Sequence, residues 1–160
     1  MIRPALASDA QAMADIYNPF VLGTSITFEE VAVTPQEMAS RIETVLLALP
    51  WLVIEVQGHV AGYAYATPWK TRSAYRRTVE SAIYVAPSHA GQGLGTRLYE
   101  ALLTELQLLG VHAVLGGIAL PNEASVALHE RLGFEQVGQL REVGWKLQRW
   151  VDVGYWEKWL

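Results

Sequence analysis

A glycine-rich hexapeptide, Gly91-Gln92-Gly93-Leu94-Gly95-Thr96, is the strongest local candidate for chemistry in this sequence. It lies between an apolar run typical of a β-strand and a segment with helical periodicity. Glycines let the backbone approach a bulky anion, and the free N–H groups that open a helix, aided by its dipole, bind phosphates. The spacing matches neither a dinucleotide-binding fingerprint nor a P-loop. It therefore predicts another kind of pyrophosphate site, with a plain tight turn as the alternative.

The chain contains no cysteine, which excludes a disulfide, a thiolate metal site and a cysteine nucleophile. His59, His89 and His112 lack the spacing of metal ligands, and we interpret them as structural. We therefore expect no metal in the site.

Capping signals predict two helices in the first third of the chain. Ser8, followed three residues later by glutamine, forms a capping-box pattern that predicts a helix over 9–17, ending before Pro19. Thr34 and Pro35 suit the N-cap and first position of a second helix that ends near Pro50. The apolar stripe of this second helix consists of Met38, Ile42, Val45 and Leu46.

Alternating strands and helices are predicted for the remainder. A helix over 96–109 places Leu98, Leu102, Leu106 and Leu109 on one face and ends at Gly110, and Asn122 caps a helix over 123–132 that ends at Gly133. Gln57-Gly58-His59 indicates a hairpin. The predicted strands are 25–29, 51–56, 60–67, 79–85, 112–120, 134–140, 143–148 and 153–159. The pattern predicts one α/β domain, residues 1–160, with a mixed sheet.

Composition excludes several classes of function. Apolar residues make up 51% of the 160 residues and charged residues 18%, as in globular domains. A net charge of −4 argues against binding to a nucleic-acid backbone. The sequence has neither a signal-peptide pattern nor an apolar stretch long enough to span a membrane, so we expect no membrane association and a cytoplasmic location.

Two sets of motifs are distributed over nearly the whole chain. The first set is the loop 91–95, Asn122, and Leu128-His129-Glu130-Arg131-Leu132-Gly133-Phe134. The second set is Pro50-Trp51-Leu52-Val53, Pro68-Trp69-Lys70-Thr71-Arg72-Ser73-Ala74-Tyr75, Thr78-Val79-Glu80-Ser81, Leu120-Pro121-Asn122 and Trp150-Val151-Asp152-Val153-Gly154-Tyr155-Trp156. The first set resembles the acetyl-CoA-binding core of the GNAT superfamily, and the second resembles the phosphinothricin and methionine sulfoximine N-acetyltransferases within it. The resemblance implies a GNAT fold, a mixed central sheet flanked by helices.

The resemblance implies that the co-substrate is acetyl-CoA. The glycine loop would hold its pyrophosphate, the preceding strand would pair with its pantetheine arm and offer an N–H to the thioester oxygen, and Asn122 would contact it as well as cap a helix. Ala90 departs from the family pattern, which usually has Gln or Arg there. The implied cofactor residues are Ile83, Tyr84, Val85, Gly91, Gln92, Gly93, Leu94, Gly95, Thr96 and Asn122.

Glu80 matches the catalytic carboxylate of the resembled family. An ammonium cannot attack a thioester until it loses a proton, so a nearby carboxylate must accept that proton directly or through water. The alternative is a solvated strand carboxylate. His129 takes the place of a tyrosine that protonates the departing thiolate in most GNAT enzymes, and its alternative is a structural histidine.

The resemblance also implies a site for an amino-acid-like acceptor. Arg72 could hold a carboxylate or phosphinate through two parallel hydrogen bonds, although Lys70 and Arg72 could instead be solvated loop charges. Phe28 could close the pocket or belong to the core. The implied substrate residues are Phe28, Lys70, Thr71, Arg72, Tyr75, Glu80, Ser81 and Ala82.

The expected reaction is acetyl transfer to the α-amino group of phosphinothricin, methionine sulfoximine, methionine sulfone or a related amino acid. Because there is no cysteine to carry an acetyl group, direct attack in a ternary complex is favoured, without excluding a serine ester. The resembled family is dimeric, so we also expect a homodimer. The alternatives are an acetyltransferase for another small amine, a non-catalytic acyl-CoA-binding module, and a structural dimerisation protein.

Overall fold

The computed structural model describes residues 1–160 and is built on one seven-stranded mixed sheet. Its spatial order is β1-β2-β3-β4-β5-β7-β6, and every neighbouring pair is antiparallel except β4 and β5. This confirms the predicted α/β class and the mixed sheet. The strands are β1 (Ile2–Pro4), β2 (Trp51–Val56), β3 (His59–Pro68), β4 (Thr78–Val85), β5 (Ala113–Leu120), β6 (Glu135–Lys146) and β7 (Arg149–Trp159).

Four helices cover the two faces of the sheet: α1 (Ala10–Gly23), α2 (Pro35–Leu46), α3 (Leu94–Leu108) and α4 (Glu123–Arg131). The first two bury Met13 and Ile42 against Trp51 and Tyr63 on one face. On the opposite face α3 buries its leucine stripe, and α4 packs beside it. Since alternate residues of a strand point to opposite faces, each central strand contributes to both cores.

The sheet divides in the middle, and this division positions the site. β4 pairs with β3 along nearly its whole length, from Val79 to Val85. With β5 it pairs only at Thr78, Val79 and Glu80, after which β5 continues beside β7. One edge of β4 therefore carries no strand partner beyond Glu80.

Several predicted elements are confirmed. Thr34 caps α2 by accepting a hydrogen bond from the N–H of Glu37 at 3.1 Å, and Asn122 Oδ1 accepts from the N–H of Ser125 at 3.1 Å. The hairpin between β2 and β3 turns at Gln57 and Gly58, which both have positive φ. The stripe of α3 is buried except for Leu109, which follows the helix and is exposed.

The first helix starts within one residue of its predicted start, but its predicted cap and its predicted end were wrong. A single 3₁₀ turn, Ala7–Asp9, precedes α1, and no side chain caps its first turn. The helix also continues through Pro19 to Gly23. Tyr17 and Val21 are buried on either side of the proline, so tertiary packing outweighs the one backbone hydrogen bond that proline removes.

Three strand predictions also need correction. Residues 25–29 form no strand; side chains hold this segment instead. The predicted strands 134–140 and 143–148 are one strand, β6 (Glu135–Lys146), with a bulge between Leu140 and Gly144 rather than a turn. The short β1 was missed because three residues carry too little pattern. No helix is both long and apolar enough to cross a membrane.

Candidate active site

The glycine loop forms an open cradle at the start of α3. Gly91 and Gly93 have φ of +75° and +73°, conformations that other residues adopt only with strain. Gly93 is the N-cap of α3 and provides no side-chain hydrogen bond to the first turn. The first amides of the helix therefore have no capping partner from Gly93, and their dipole favours an anion.

A groove of about 270 Å³ runs from this cradle along the free edge of β4. It brings together most of the residues predicted to bind the cofactor. Gln92 and Thr96 do not line it, and the exposed Gln92 side chain instead donates to the carbonyl of Ser88 at 3.5 Å. The predicted residues that line it are Ile83, Tyr84, Val85, Gly91, Gly93, Leu94, Gly95 and Asn122.

A second cavity of about 510 Å³ adjoins the groove at the point where β4 and β5 part. The two spaces have five lining residues in common, so the groove leads into the cavity. Glu80 lies in the cavity wall, on the last residue pair that joins β4 to β5. The common residues are Ile26, Ile83, Tyr84, Asn122 and Ser125.

Glu80 faces Tyr155 above Gly117. A Cβ atom added to Gly117 would lie 3.0 Å from Glu80 Oε1 and 3.2 Å from Tyr155 Cε1, so only glycine leaves room for both side chains. Burial raises the pKa of Glu80, and the positive charge of Lys70 partly opposes the rise. A carboxylate with a raised pKa is a stronger base than one in water.

His129 lines the cavity from α4, with its ring over Gly116 of β5, and is buried, with 4% of its surface exposed. Its Nε2 is 3.0 Å from the Tyr99 hydroxyl, and its Nδ1 is 2.7 Å from the carbonyl oxygen of Ser125. A carbonyl only accepts, so Nδ1 carries the proton and the Tyr99 hydroxyl donates to Nε2. Burial also lowers the pKa of His129, so the ring is neutral at pH 7.

Tyr99 connects His129 to the point where the strands separate. Its proton goes to His129 Nε2, so its oxygen accepts the 2.5 Å hydrogen bond from Ser81 Oγ. The Leu115 carbonyl oxygen lies 3.3 Å from the same Oγ. Ser81 is the first residue of β4 without a partner on β5, so these hydrogen bonds end where the two strands part.

The segment between α1 and α2 forms one side of the cavity. Thr27 Oγ1 is 2.7 Å from the Tyr17 hydroxyl, which also donates to the carboxylate of Glu29. Arg41 Nη1 and Nη2 hold the same carboxylate at 2.9 and 2.6 Å. Phe28, between Thr27 and Glu29, lines the cavity with its ring.

Four predicted substrate residues do not line the cavity. Lys70, Thr71, Arg72 and Tyr75 lie in the exposed connection between β3 and β4. Arg72 forms no salt bridge, and Lys70 Nζ lies 4.7 Å from the centre of the Trp69 ring. The other predicted substrate residues, Phe28, Glu80, Ser81 and Ala82, all line it.

Much of the cavity wall comes from segments far apart in the sequence, and no local pattern predicted these residues. Alternation along 153–159 would have placed Val153 and Tyr155 on one face, but nothing local indicated what they face. The glycine pair in β5 was the clearest overlooked signal. The missed lining residues are Tyr17, Ile26, Thr27, Tyr65, Thr67, Gly117, Ala119, Ser125, Leu140, Val143, Val153 and Tyr155.

Comparison with known proteins agrees with this geometry. The model of the acetyltransferase (GNAT) family matches residues 15–134. Phosphinothricin N-acetyltransferase of Streptomyces viridochromogenes is 46% identical over 157 residues, which cover 98% of this chain and 86% of that protein. The L-methionine sulfoximine/L-methionine sulfone acetyltransferase of Salmonella typhimurium is 39% identical over 155 residues, covering 96% and 91%. A GNAT superfamily phosphinothricin acetyltransferase from Sinorhizobium meliloti, solved with acetyl-CoA, has a TM-score of 0.96 at 35% identity, covering 100% and 88%.

Proposed function

Since the chain belongs to the GNAT acetyltransferase family, we propose that it transfers the acetyl group of acetyl-CoA to the α-amino group of a small amino-acid-like acceptor. The proposed acceptors are phosphinothricin, methionine sulfoximine, methionine sulfone or a close relative. The observation that carries the proposal is the joined groove and cavity, which lead from the uncapped start of α3 to the carboxylate of Glu80.

The groove fits acetyl-CoA on three grounds. The amides that open α3 suit a diphosphate, and the unpaired edge of β4 suits an extended arm that carries amide groups. Asn122 also lines the groove. Its Nδ2 is free to donate to the cofactor, because only its Oδ1 is used for capping α4. When bound, acetyl-CoA supplies a thioester carbonyl that an amine can attack.

Glu80 is the proposed general base. An amino-acid ammonium must lose a proton before its nitrogen can attack, and the raised pKa of Glu80 brings the carboxyl closer to that task. The backbone N–H groups of 83–85 that point away from β3, to the free edge, are the proposed donors to the thioester oxygen as negative charge develops there. With no cysteine in the chain, direct attack by the amine is favoured.

For His129 we propose a positioning role in place of the general-acid role expected from the resemblance. Both ring nitrogens are bonded within the protein, so the imidazole presents no proton to the cavity. A CoA thiol also resembles a cysteine thiol, with a pKa of roughly 8.5, so its thiolate departs without a strong acid. The ring instead orders Tyr99 and, through it, Ser81 where the strands part.

Lys70 and Arg72 remain the proposed cations for the acceptor carboxylate. Lys70 is close enough to act on the pKa of Glu80, and Arg72 is exposed without a salt bridge. Thr71 and Tyr75 belong to the same loop and are proposed to line the acceptor site when it is occupied. Acetylation would remove the ammonium charge of an amino-acid analogue, which supports a detoxification role in the cytoplasm.

A homodimer is also proposed, through the hairpin of β6 and β7. β6 is an edge strand of 12 residues, nearly all of them exposed. Trp145 and Trp150 are 55% and 59% exposed, with ring centres 4.8 Å apart. A long apolar edge favours pairing with another chain. Light scattering should give twice the chain mass, which a Trp150→Glu substitution should reduce; a monomeric native protein contradicts this proposal.

The activity is tested by mixing the purified protein with acetyl-CoA and single amines and following the release of CoA thiol. The panel contains phosphinothricin, methionine sulfoximine, methionine sulfone, methionine and a polyamine. Turnover of the first three is expected, and turnover of the polyamine alone would indicate an acetyltransferase for other amines. A thermal shift with CoA but no turnover would indicate a binding module, and the absence of both would overturn the proposal.

A further inference from the structure

Lys146, near the end of β6, is a buried cation outside the site described so far. Only 3% of its surface is exposed, and its Nζ donates to the carbonyl oxygens of Thr27 and Glu29, each at 2.7 Å. Burial lowers its pKa, so keeping the ammonium there costs free energy. A buried lysine joined to a segment more than a hundred residues away calls for a structural or functional reason.

The two carbonyls that Lys146 holds flank Phe28. The lysine therefore anchors the backbone immediately before and after a residue whose ring lines the acceptor cavity. The segment has no helix or strand hydrogen bonds of its own. Its shape at Phe28 thus depends on these contacts and on the Tyr17 and Arg41 contacts to Glu29.

The same hairpin also supplies the surface beneath the ring. A Cβ atom added to Gly144 would lie 2.3 Å from Phe28 Cζ, so the ring rests directly on the backbone of β6. Leu140, Val143 and Val153 line the cavity from this hairpin. Phe28 and these three residues form an apolar wall, which suits the methylene stem of an acceptor side chain.

We infer that Lys146 is a positioning residue for acceptor specificity: by clamping the backbone on both sides of Phe28, it fixes the distance between the Phe28 ring and the hairpin. That distance sets the length and width of the side-chain stem that the cavity accepts. This inference rests on the proposed function, because it names the part of the acceptor that the wall recognises.

The test is a double-mutant cycle of Lys146→Met and Phe28→Ala, using an amine that the native protein acetylates. If Lys146 acts through Phe28, Lys146→Met should raise the KM of the acceptor on the order of ten-fold, with the KM of acetyl-CoA unchanged. The double variant should then be no worse than Phe28→Ala alone. The inference would be overturned if the losses of the two single variants multiplied in the double variant. It would also be overturned if Lys146→Met raised the KM of acetyl-CoA as much as the KM of the acceptor.

Arg149→Met is the matched control. Arg149 Nη2 donates to Ser25 Oγ at 2.7 Å, so it ties the same segment to the same hairpin without flanking Phe28. The acceptor KM should stay near the native value in this variant. If it rises as far as in Lys146→Met, general loosening of the segment explains the effect and the specific role is wrong.

Two further measurements keep the inference testable. A glutamate-specific protease should cut after Glu29 or Glu30 faster in Lys146→Met than in Arg149→Met, whether or not any amine is acetylated; equal rates contradict the clamp. If Lys146→Met does not fold, Gly144→Ala displaces the Phe28 ring while leaving the lysine in place. The Gly144→Ala variant should acetylate only those amines of the panel that have smaller side chains. If it acetylates the same amines as the native protein, the inference is contradicted.

Discussion

The groove and the cavity are built in opposite ways. The groove uses backbone: two glycines with positive φ, the first amides of α3 and the unpaired edge of β4. The cavity uses side chains from segments far apart in sequence, including Tyr17, Phe28, Glu80, Val143 and Tyr155. Backbone groups bind the diphosphate and the amide groups that every acyl-CoA contains, and they are the same whatever the side chains. The side chains that line the cavity can be changed by single substitutions, and each change can alter which acceptor binds. Cofactor use and acceptor choice can therefore vary independently.

Glu80→Gln should impair the cavity but not the groove, and it should cause the largest loss of activity of the substitutions considered. The amide keeps the shape of the side chain but cannot accept the ammonium proton, so kcat should fall by about 10²- to 10⁴-fold. Steady-state rates, with calorimetry of CoA binding, check the result. Unchanged CoA affinity is expected, and a kcat within a few-fold of native would rule out Glu80 as the base.

Glu80→Gln should also alter stability. Folding raises the pKa of Glu80, so the folded state favours the protonated carboxyl. The stabilisation by this carboxyl is therefore fully present below its unfolded pKa and is lost as pH rises through its folded pKa. The variant should therefore melt at a higher temperature than the native protein at pH 8, and the gap should close at pH 4. A lower melting temperature at pH 8 would contradict the burial argument.

Gly93→Ala should weaken CoA binding in the groove and leave the cavity unchanged, so its effect on activity should be smaller than that of Glu80→Gln. At φ of +73° an added Cβ atom costs roughly 1–2 kcal/mol. Displacing one amide from a phosphate loses about 1.5–3 kcal/mol, which weakens CoA binding roughly ten-fold or more. Calorimetry measures the affinity, and thermal melting the stability.

Gly110→Ala is the control for this change. Gly110 follows the other end of α3 with φ of +76°, and like Gly93 it has no atoms within 4 Å of an added Cβ. Both variants should lose similar stability, but only Gly93→Ala should lose CoA affinity. Equal affinities in the two variants would show that the start of α3 does not hold the diphosphate.

His129→Gln should have the smallest effect on rate. If the imidazole only positions Tyr99, kcat at pH 8 should change by less than about ten-fold, whereas loss of a general acid would cost about 10²- to 10⁴-fold. Because burial lowers the pKa of His129, its contribution to stability is present above about pH 6.5 and is lost as pH falls through the folded pKa. The variant should therefore lose less stability than the native protein between pH 7 and pH 5, as measured by urea unfolding.

The same contrast explains what the sequence could predict. The glycine loop, the strand before it and the helix after it are contiguous, so pattern alone predicted this part of the groove as a phosphate site or a tight turn. The resemblance was needed to assign 83–85 and Asn122 to the cofactor. The hairpin at Gln57 and Gly58 and the caps at Thr34 and Asn122 are equally local and were predicted correctly. Glu80 was identified only through the resemblance, since one carboxylate in a strand carries no signal of its own.

The errors have non-local causes. Pro19 was expected to end α1, but burial on both sides holds the helix together. Residues 25–29 have strand-like composition, yet the carbonyls of Thr27 and Glu29 accept hydrogen bonds from Lys146, which lies more than a hundred residues away. The wall formed by Phe28 and the β6–β7 hairpin could not be foreseen because no pattern within either segment specifies the other.

At Gly116 and Gly117 of β5, the surrounding side chains leave no room for a Cβ atom. An atom on Gly116 would lie 2.5 Å from His129 Nε2, and one on Gly117 would meet Glu80 and Tyr155, so each glycine is required by a neighbour on a different face. Neither has a positive φ, so the backbone itself would accept other residues. In a saturation library these two positions should therefore be depleted of every larger amino acid, alanine included, although the strand around them is otherwise ordinary.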